Sequence, residues 1–381
     1  MTIEDLKSLY KQHFEASLFG RYIHTKNIKP LLEKHTKHFK IEVIGESVLK
    51  ENIYSITLGT GSKKVLMWSQ MHGNESTTTK AIFDLLNFFC EDKDYSRSIL
   101  ESITIVIIPI LNPDGAKAYT RLNANKIDLN RDAQDLTQPE SNVLRDLYNK
   151  VQPDYCFNLH GQRTIFSAGN TSNTAALSFL SPAQDIECTI TDNRRKAMSI
   201  IVKMNTMLQS EIPNKVGIYD DAFNINCVGD TFQRFNVPTV LFEAGHLAND
   251  YNREEVRRLI FQSYIVALQA IVLNTIDVND DKLYLLIPEN EKLFYDIIIQ
   301  DVDFNGEILD VAIQYQEKLI ENKLHFVPKV EKIEKLDGFY AHNYLNANNN
   351  SVYNLKKEHL FVGNEIDFVY IENVKLSLNI G

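Results

Sequence analysis

Cysteine is scarce in this chain. Its four cysteines, Cys90, Cys156, Cys188 and Cys227, are scattered over 381 residues. They lack the close pairing of a zinc ribbon or a redox motif and are too few for a disulfide scaffold. They read as buried thiols in a reducing compartment. Positive charge is also in short supply, with 40 Lys and Arg against 50 Asp and Glu and a formal net charge of -10. Phosphate backbones and anionic lipid surfaces both call for basic patches, so neither nucleic acid nor a membrane is an expected partner. No run of about 18 apolar residues occurs, which leaves no candidate membrane span. The opening MTIEDLKSLYKQHF carries acids where a secretory signal would need an apolar stretch. These absences lead to the expectation of a cytoplasmic protein. Repeats and low-complexity tracts are missing too, NANNNS at 346–351 being a polar loop. Nothing in the pattern specifies an oligomeric state.

What is present is enough apolar material, 44% of residues, for one large core and a smaller one. Apolar spacing predicts a helix over 3–18 and a short one over 28–35. IEVIGESV and NIYSITLG then alternate apolar and polar residues and predict a hairpin entering a sheet. KKVLMWSQ, ITIVIIPI, DYCFNLH and PTVLFEAG are nearly continuous apolar runs, the signature of strands covered on both faces. Between and after them, helical periods cover STTTKAIFDLLNFF, 138–150, 192–210 and 252–274. Strands alternating with helices predict an α/β fold, a mixed and mostly parallel sheet sandwiched by helices. After about residue 278 the texture changes to short segments such as KLYLLIPE, FYDIIIQDVD, LHFVPKV and EIDFVYIE. The expected organisation is therefore a catalytic domain over 1–277 and a small β-rich domain over 278–381.

In open α/β sheets, sites form beyond the carboxyl ends of strands, and three chemically capable residues fall there. His72 and Glu75 stand three apart where a strand gives way to a helix, so both can converge on one point. Alone, such a pair is equally a loop histidine beside an acid that gains from a helix N-terminus. His160, at the end of a buried strand, supplies the third ligand that catalytic zinc commonly has; a hydrogen-bonded core histidine is the alternative. His246 competes for that place but suits a supporting or loop role better. Glu243 is the one acid that the apolar strand TVLF delivers to the edge, where a carboxylate can take the proton of a metal-activated water. Its bland reading is a cap on the next turn. Arg121 and Arg131 lie in NPDGAKAYTRLNANKIDLNRDA, and a guanidinium fork suits a carboxylate or a polarised carbonyl. Singly, each arginine could equally be a solvated surface residue.

In order along residues 44–250, IGESVLKENIYSITLGTG, HGNE, NPDG with TRLNANKIDLNRD, NLHGQ and LFEAG resemble the motifs of the zinc carboxypeptidase family. The resemblance implies one zinc per chain on His72, Glu75 and His160, with Glu243 as general base and Arg121 at the oxyanion. It also implies Asn130 and Arg131 on the substrate's free carboxylate, and hydrolysis of a C-terminal peptide bond. The chain departs from the family at FNINCVGDTFQ, where Ile225 occupies the neighbourhood of a mobile tyrosine; Tyr219 is the candidate substitute and Phe232 the candidate wall of the specificity pocket. The succinylglutamate desuccinylase and aspartoacylase type shares an HGNE-like pair and a DLNR motif, so N-acyl amino acids are an alternative substrate, as are murein peptides. A non-catalytic zinc-binding module is the reading from another class, and the intact Glu243 argues against it.

Overall fold

The computed structural model describes residues 1–91 and 93–380. The chain forms two compact units. The first takes residues 1–162 and 175–290, and the second takes 163–174 and 291–381.

In the first unit, β1 (Lys40–Glu46) and β2 (Asn52–Leu58) form the expected antiparallel hairpin, and β3 (Lys63–Ser69), β4 (Ile103–Ile108) and β5 (Tyr155–Gly161) follow. The short β6 (Ser167–Ala168) belongs to the second unit, after which β7 (Leu177–Leu180), β8 (Val216–Ile218) and β9 (Thr239–Ala244) complete the sheet. The eight strands run in the order β1-β2-β4-β3-β5-β9-β7-β8. The central four, β4, β3, β5 and β9, are mutually parallel, while β2 and β7 run against their neighbours β4 and β9. Parallel neighbours present their carboxyl ends along one edge, so β3, β5 and β9 finish side by side.

The continuous apolar runs have the burial anticipated for them. In β3, Val65 and Met67 face the larger core while Leu66 and Trp68 face the smaller, and all four are fully buried. The larger core is closed by α1 (Ile3–His13), α2 (Thr25–His35), α3 (Thr77–Cys90), α4 (Asp94–Ser102), α7 (Asp192–Gln209) and α9 (Glu254–Val272). The smaller lies under α6 (Pro139–Val151) and α8 (Val228–Arg234). α5 (Pro113–Ala118) begins with Pro113 after its N-cap Asn112, whose side chain accepts from Gly115 N at 2.8 Å. α1 ends at His13, short of the expected 18, because Phe14 is already non-helical.

Two expectations change at the end of this unit. KLYLLIPE contains no strand: residues 281–284 form α10 (Asp281–Tyr284), and Tyr284 is buried in the larger core with its hydroxyl accepting from Ser181 N. A short apolar run does not distinguish a strand from a buried turn of helix. Correspondingly, the second unit starts at Glu291, after β10 (Asn290–Glu291) opens, and takes in the internal segment 163–174 as well. Within that unit β11 (Phe294–Phe304), β12 (Glu307–Ile320), β13 (Lys323–Glu334) and β14 (Tyr340–Asn346) form a sheet in the order β13-β12-β11-β14. A three-stranded sheet is built from β15 (Val352–Tyr353), β16 (Phe368–Ile371) and β17 (Val374–Ser377). The β-rich texture read from the sequence is therefore present. Of the cysteines only Cys156 is buried; Cys90, Cys188 and Cys227 are half-buried, and all four are free. Among the described residues no helix is long and apolar enough to cross a membrane.

One buried ion pair ties the amino-terminal segment to the α3 and α9 layer. Arg257 of α9 donates to both oxygens of Asp84 of α3 at 2.6–2.7 Å, and both side chains are fully buried. Its remaining donors reach Leu18 O, Glu15 O and Glu254 Oε2, and Phe14 lies 4.3 Å below the guanidinium. Asp84 also accepts from Glu15 N. Removing one partner strands a buried charge, which costs about 3–5 kcal/mol. Asp84→Ala should therefore lower the unfolding free energy by that amount in urea titration, and pairing Asp84→Leu with Arg257→Met should recover most of it. Equal losses in the single and double variants would contradict this account.

Candidate metal centre

β3 ends at Ser69, and the chain then turns through Gln70, which holds a left-handed backbone (φ 45°). Non-glycine residues seldom adopt that region unless the surroundings enforce it. Here Gln70 is fully buried and its Nε2 donates to Ile23 O at 2.9 Å and to Gly73 O at 2.8 Å. The turn throws His72 and Glu75 back over the sheet edge, just ahead of α3. A second constraint comes from glycine. A Cβ on Gly73 would lie 2.0 Å from the Gly115 carbonyl carbon, and one on Gly115 would lie 2.5 Å from Asn112 Nδ2. The HGNE and NPDG segments thus touch backbone to backbone at Gly73, and the NPDG turn closes on Asn112 and Leu122 O at Gly115, so glycine is required at both positions.

Three side chains converge above β3 and β5. Glu75 Oε1 lies 2.9 Å from His72 Nδ1, Glu75 Oε2 lies 2.9 Å from His160 Nδ1, and the two Nδ1 atoms are 3.0 Å apart. Gly161 N donates to Glu75 Oε2 at 3.0 Å. Both histidines are buried. Protonation leaves a problem that a cation would solve. His72 Nε2 faces Asp128 Oδ1 at 3.0 Å, and a carboxylate only accepts, so the imidazole proton belongs on Nε2. A neutral His72 then points the bare lone pair of Nδ1 at a Glu75 oxygen and at the other imidazole. Tetrahedral zinc with bonds of about 2.0–2.1 Å would hold ligand atoms about 3.3 Å apart, close to the separations present. The donor set of two imidazoles and one carboxylate, from His72, Glu75 and His160, whose ligand atoms all lie within 4.8 Å of one another, therefore fits zinc.

The carboxylate of Asp128 is the member that sequence reasoning passed over. It orients His72 in the manner of a carboxylate–histidine–metal relay, accepts from Asn130 N at 2.9 Å, and is gripped by Arg121 Nε and Nη2 at 3.1 and 3.0 Å. Its signal was available in DLNRD, as an acid two residues ahead of Asn130. Arg121 Nη1 also reaches Glu75 Oε1 at 3.4 Å, so one half-exposed guanidinium spans both acids. Charges sort the pKa values accordingly. Burial opposes the charged form of His72, but Glu75 and Asp128 outweigh it and raise its pKa above the usual imidazole value. Burial opposes ionisation of Glu75 and Asp128 too, and the facing histidines and hydrogen bonds still hold both below the ordinary carboxylate range.

Glu243 is the direct cross-strand partner of His160 in the β5–β9 ladder. Its Oε2 is buried with no hydrogen-bond partner. Burial pushes its carboxyl well above the usual range, and the charge of Glu75 adds to the effect. Asn130 Oδ1 accepts from Val228 N at 3.0 Å, which fixes the amide so that its NH₂ points the other way. Arg131 donates from Nη1 to Asn130 O and to Cys227 Sγ at 3.1 Å. Tyr219, just past β8, is close enough for Glu243 and Glu75 to act on its hydroxyl, which burial raises first and those charges raise further. Phe232 is placed differently from the expected pocket wall. It is packed in the smaller core between Trp68 and Tyr148, at ring-centroid distances of 5.3 and 4.3 Å. The cavity beside it is about 10 Å³, room for one water. Ile225 sits in the turn before α8, its carbonyl accepting from Thr231 Oγ1.

Residues 25–172 match the family described as zinc carboxypeptidase. Over 112 residues the chain is 29% identical to a protein named probable carboxypeptidase 2 from Trichophyton verrucosum, covering 29% of this chain and 21% of that one. It is 33% identical over 104 residues to carboxypeptidase SOL1 of Arabidopsis thaliana, covering 24% and 21%. The chain thus spans about a fifth of the length of these curated relatives. Among solved structures, a putative carboxypeptidase A from Shewanella denitrificans superposes with TM-score 0.56 at 17% identity, covering 65% of this chain and 69% of that one. Carboxypeptidase A from Helicoverpa armigera gives 0.54 at 15%, covering 71% and 81%. At such identities the shared property is the fold. The family match includes His72, Glu75, Asp128 and His160 and ends before Glu243.

Metal binding must displace protons from the ligands. Because His72 holds its proton more tightly than an ordinary imidazole, affinity for zinc should begin to fall above about pH 6.5 as the solution is acidified. Asp128→Asn should weaken binding about 10- to 100-fold, and His72→Ala with His160→Ala should abolish it, as read by competition with a chromogenic chelator. Unchanged affinity in Asp128→Asn would remove the orienting role assigned to that carboxylate.

Proposed function

We propose that this chain, whose residues 25–172 match the zinc carboxypeptidase family, is a zinc-dependent hydrolase that removes a C-terminal residue from a peptide. It would use one metal ion held by His72, Glu75 and His160. The observation that supports this most directly is the position of Glu243, whose Oε2 is buried without a hydrogen-bond partner and which pairs across the strands with a histidine of the metal group. A fold can hold a structural metal without placing a spare acid beside it; a hydrolase needs one.

Zinc at this centre would acidify a bound water and polarise the scissile carbonyl. Glu243 takes the water's proton and delivers it to the leaving nitrogen, and its raised pKa suits a group that must hold a proton between those events. Arg121, already poised between Asp128 and Glu75, presents the guanidinium that meets the negative oxygen. The amide NH₂ of Asn130 and the fork of Arg131 receive the substrate's free carboxylate. Tyr219 donates its hydroxyl from the Glu243 side. Phe232 contributes indirectly, by anchoring the helix whose first N–H group binds Asn130.

Glu243→Gln should keep its zinc and lose about 10²- to 10⁴-fold in kcat, since the amide cannot accept the proton. Arg121→Ala should cost about 10²- to 10³-fold. Mass spectrometry of short peptides, N-acyl amino acids and murein peptides, incubated with wild type and Glu243→Gln, identifies the substrate class. Preference for N-acyl amino acids over peptides would replace the carboxypeptidase reading with an amidohydrolase.

Recognition of the carboxylate has its own test. A charge-assisted hydrogen bond contributes about 1.5–3 kcal/mol, so amidating a peptide's C-terminus should lower kcat/KM roughly tenfold or more. Arg131→Ala should cause a similar loss on the free acid and little further loss on the amide, because both changes remove one interaction. Equal cleavage of free and amidated peptides by wild type would rule out exopeptidase action.

A further inference from the structure

Arg253 stands at the amino end of α9, fully buried and held in a left-handed backbone (φ 59°, ψ 33°). Both features are costly for an arginine. A helix N-cap usually carries Ser, Thr, Asp or Asn, whose side chain accepts from the first turn, and Arg253 makes no such bond. Asp250 caps the helix instead, its two oxygens accepting from Glu254 N at 2.8 Å and Val256 N at 3.0 Å. The side chain of residue 253 is thereby released for another use.

It runs to the ends of β5 and β9. The last pairs of that ladder are His160 with Glu243 and Gly161 with Ala244, after which Gln162 N donates to Ala244 O at 3.0 Å. Arg253 Nη1 donates to the same Ala244 O at 2.8 Å, and Nη2 donates to Gln162 O at 3.0 Å, both in buried surroundings. The two lone pairs of the Ala244 carbonyl are thus both used, and one planar guanidinium spans the two strands just past their last pair. These acceptors lie one residue from Glu243 and two residues from His160. The chain beyond Glu243 is confined as well: Gly245 N donates to Ala176 O at 2.9 Å, and a Cβ on Gly245 would lie 2.2 Å from Ala175 O. Because Glu243 Oε2 has no hydrogen-bond partner, that carboxylate depends for its placement on the backbone that carries it.

We propose that Arg253 is a positioning residue, whose guanidinium clamps the carbonyls of Ala244 and Gln162 and so fixes the separation of the general base Glu243 from the metal-group histidine His160. This rests on the role proposed above for Glu243 in peptide hydrolysis. Spanning two carbonyls takes two donors at a fixed spacing, which arginine has and lysine lacks. The left-handed backbone at residue 253 is the local strain that directs the side chain to this place.

Two variants test the clamp. Arg253→Met keeps the length of the side chain without a donor, and Arg253→Lys keeps the charge but serves one carbonyl at a time. Amide hydrogen exchange is read on zinc-loaded protein without substrate. A general loss of stability would speed all slow amides by a common factor. In Arg253→Met the Gln162 amide should instead gain about tenfold more than the amides of Val65 to Trp68 in β3, the size of one to two hydrogen bonds. Zinc content should equal wild type. On the peptide substrate, Arg253→Met should lose about 10- to 100-fold in kcat with KM unchanged, as a displaced catalytic group does. It should cause no further loss of the residual turnover in a Glu243→Gln background, where the base it positions is already gone. Arg253→Lys should recover part of the kcat, and it carries the same measurements if Arg253→Met does not fold. Gain by a common factor at Gln162 and in β3 overturns the proposal, as do losses that multiply with Glu243→Gln. Absence of peptide turnover in wild type would defeat the hydrolase reading alone, since exchange is read without substrate.

Discussion

The constraint on which the first unit turns is an excess of electron pairs at one point of a sheet edge. Two imidazole nitrogens and two carboxylate oxygens meet at about 3 Å, with the acid of Asp128 behind one ring and that of Glu243 beside the other. In a buried setting such a gathering is repulsive unless a cation completes it. Several otherwise costly features serve to hold it: the left-handed turn at Gln70, the bare backbone contact of Gly73 with Gly115, and the guanidinium of Arg121 across two acids. Each is a local departure from the least strained choice, and each lies within a few residues of a member of the group.

The parallel core of the sheet makes the gathering possible. β3, β5 and β9 are neighbours in register, so His72, His160 and Glu243 reach one edge from segments far apart in sequence. α8 and the turn before it complete the arrangement from the side. Phe232 and Tyr148 seat the helix, and its backbone then fixes the Asn130 amide. A residue buried in the core and a residue facing the site are in this way mechanically linked.

Much of this was legible in the sequence because the relevant signals are local. Continuous apolar runs ending in His or Glu place a polar group at a strand terminus, which is how His72, His160 and Glu243 came to be singled out. Asp128 was less visible because acids are common in loops and only the third dimension puts it behind His72. Phe232 is assigned to a pocket wall only through the family resemblance, but its place in α8 turns it into the smaller core. KLYLLIPE illustrates the limit of period counting, since a run of five apolar residues, 283–287, suits either a strand or the turn of helix that residues 281–284 adopt.

The segment 163–174 gives the second unit an unusual relation to the chain. Thr164 receives Gln314 Nε2 at its hydroxyl and His342 Nε2 at its carbonyl, and Ile165 O accepts from Phe294 N. The polypeptide therefore passes between the units three times, first immediately after Gln162. A module attached by one linker can be gained, lost or exchanged by a single genetic join. This one is attached differently, because cutting after residue 290 would leave twelve of its residues, 163–174, in the remaining chain, starting three positions from His160. Removing the second unit whole therefore takes two excisions rather than one, and the first begins beside the strand end that carries that histidine.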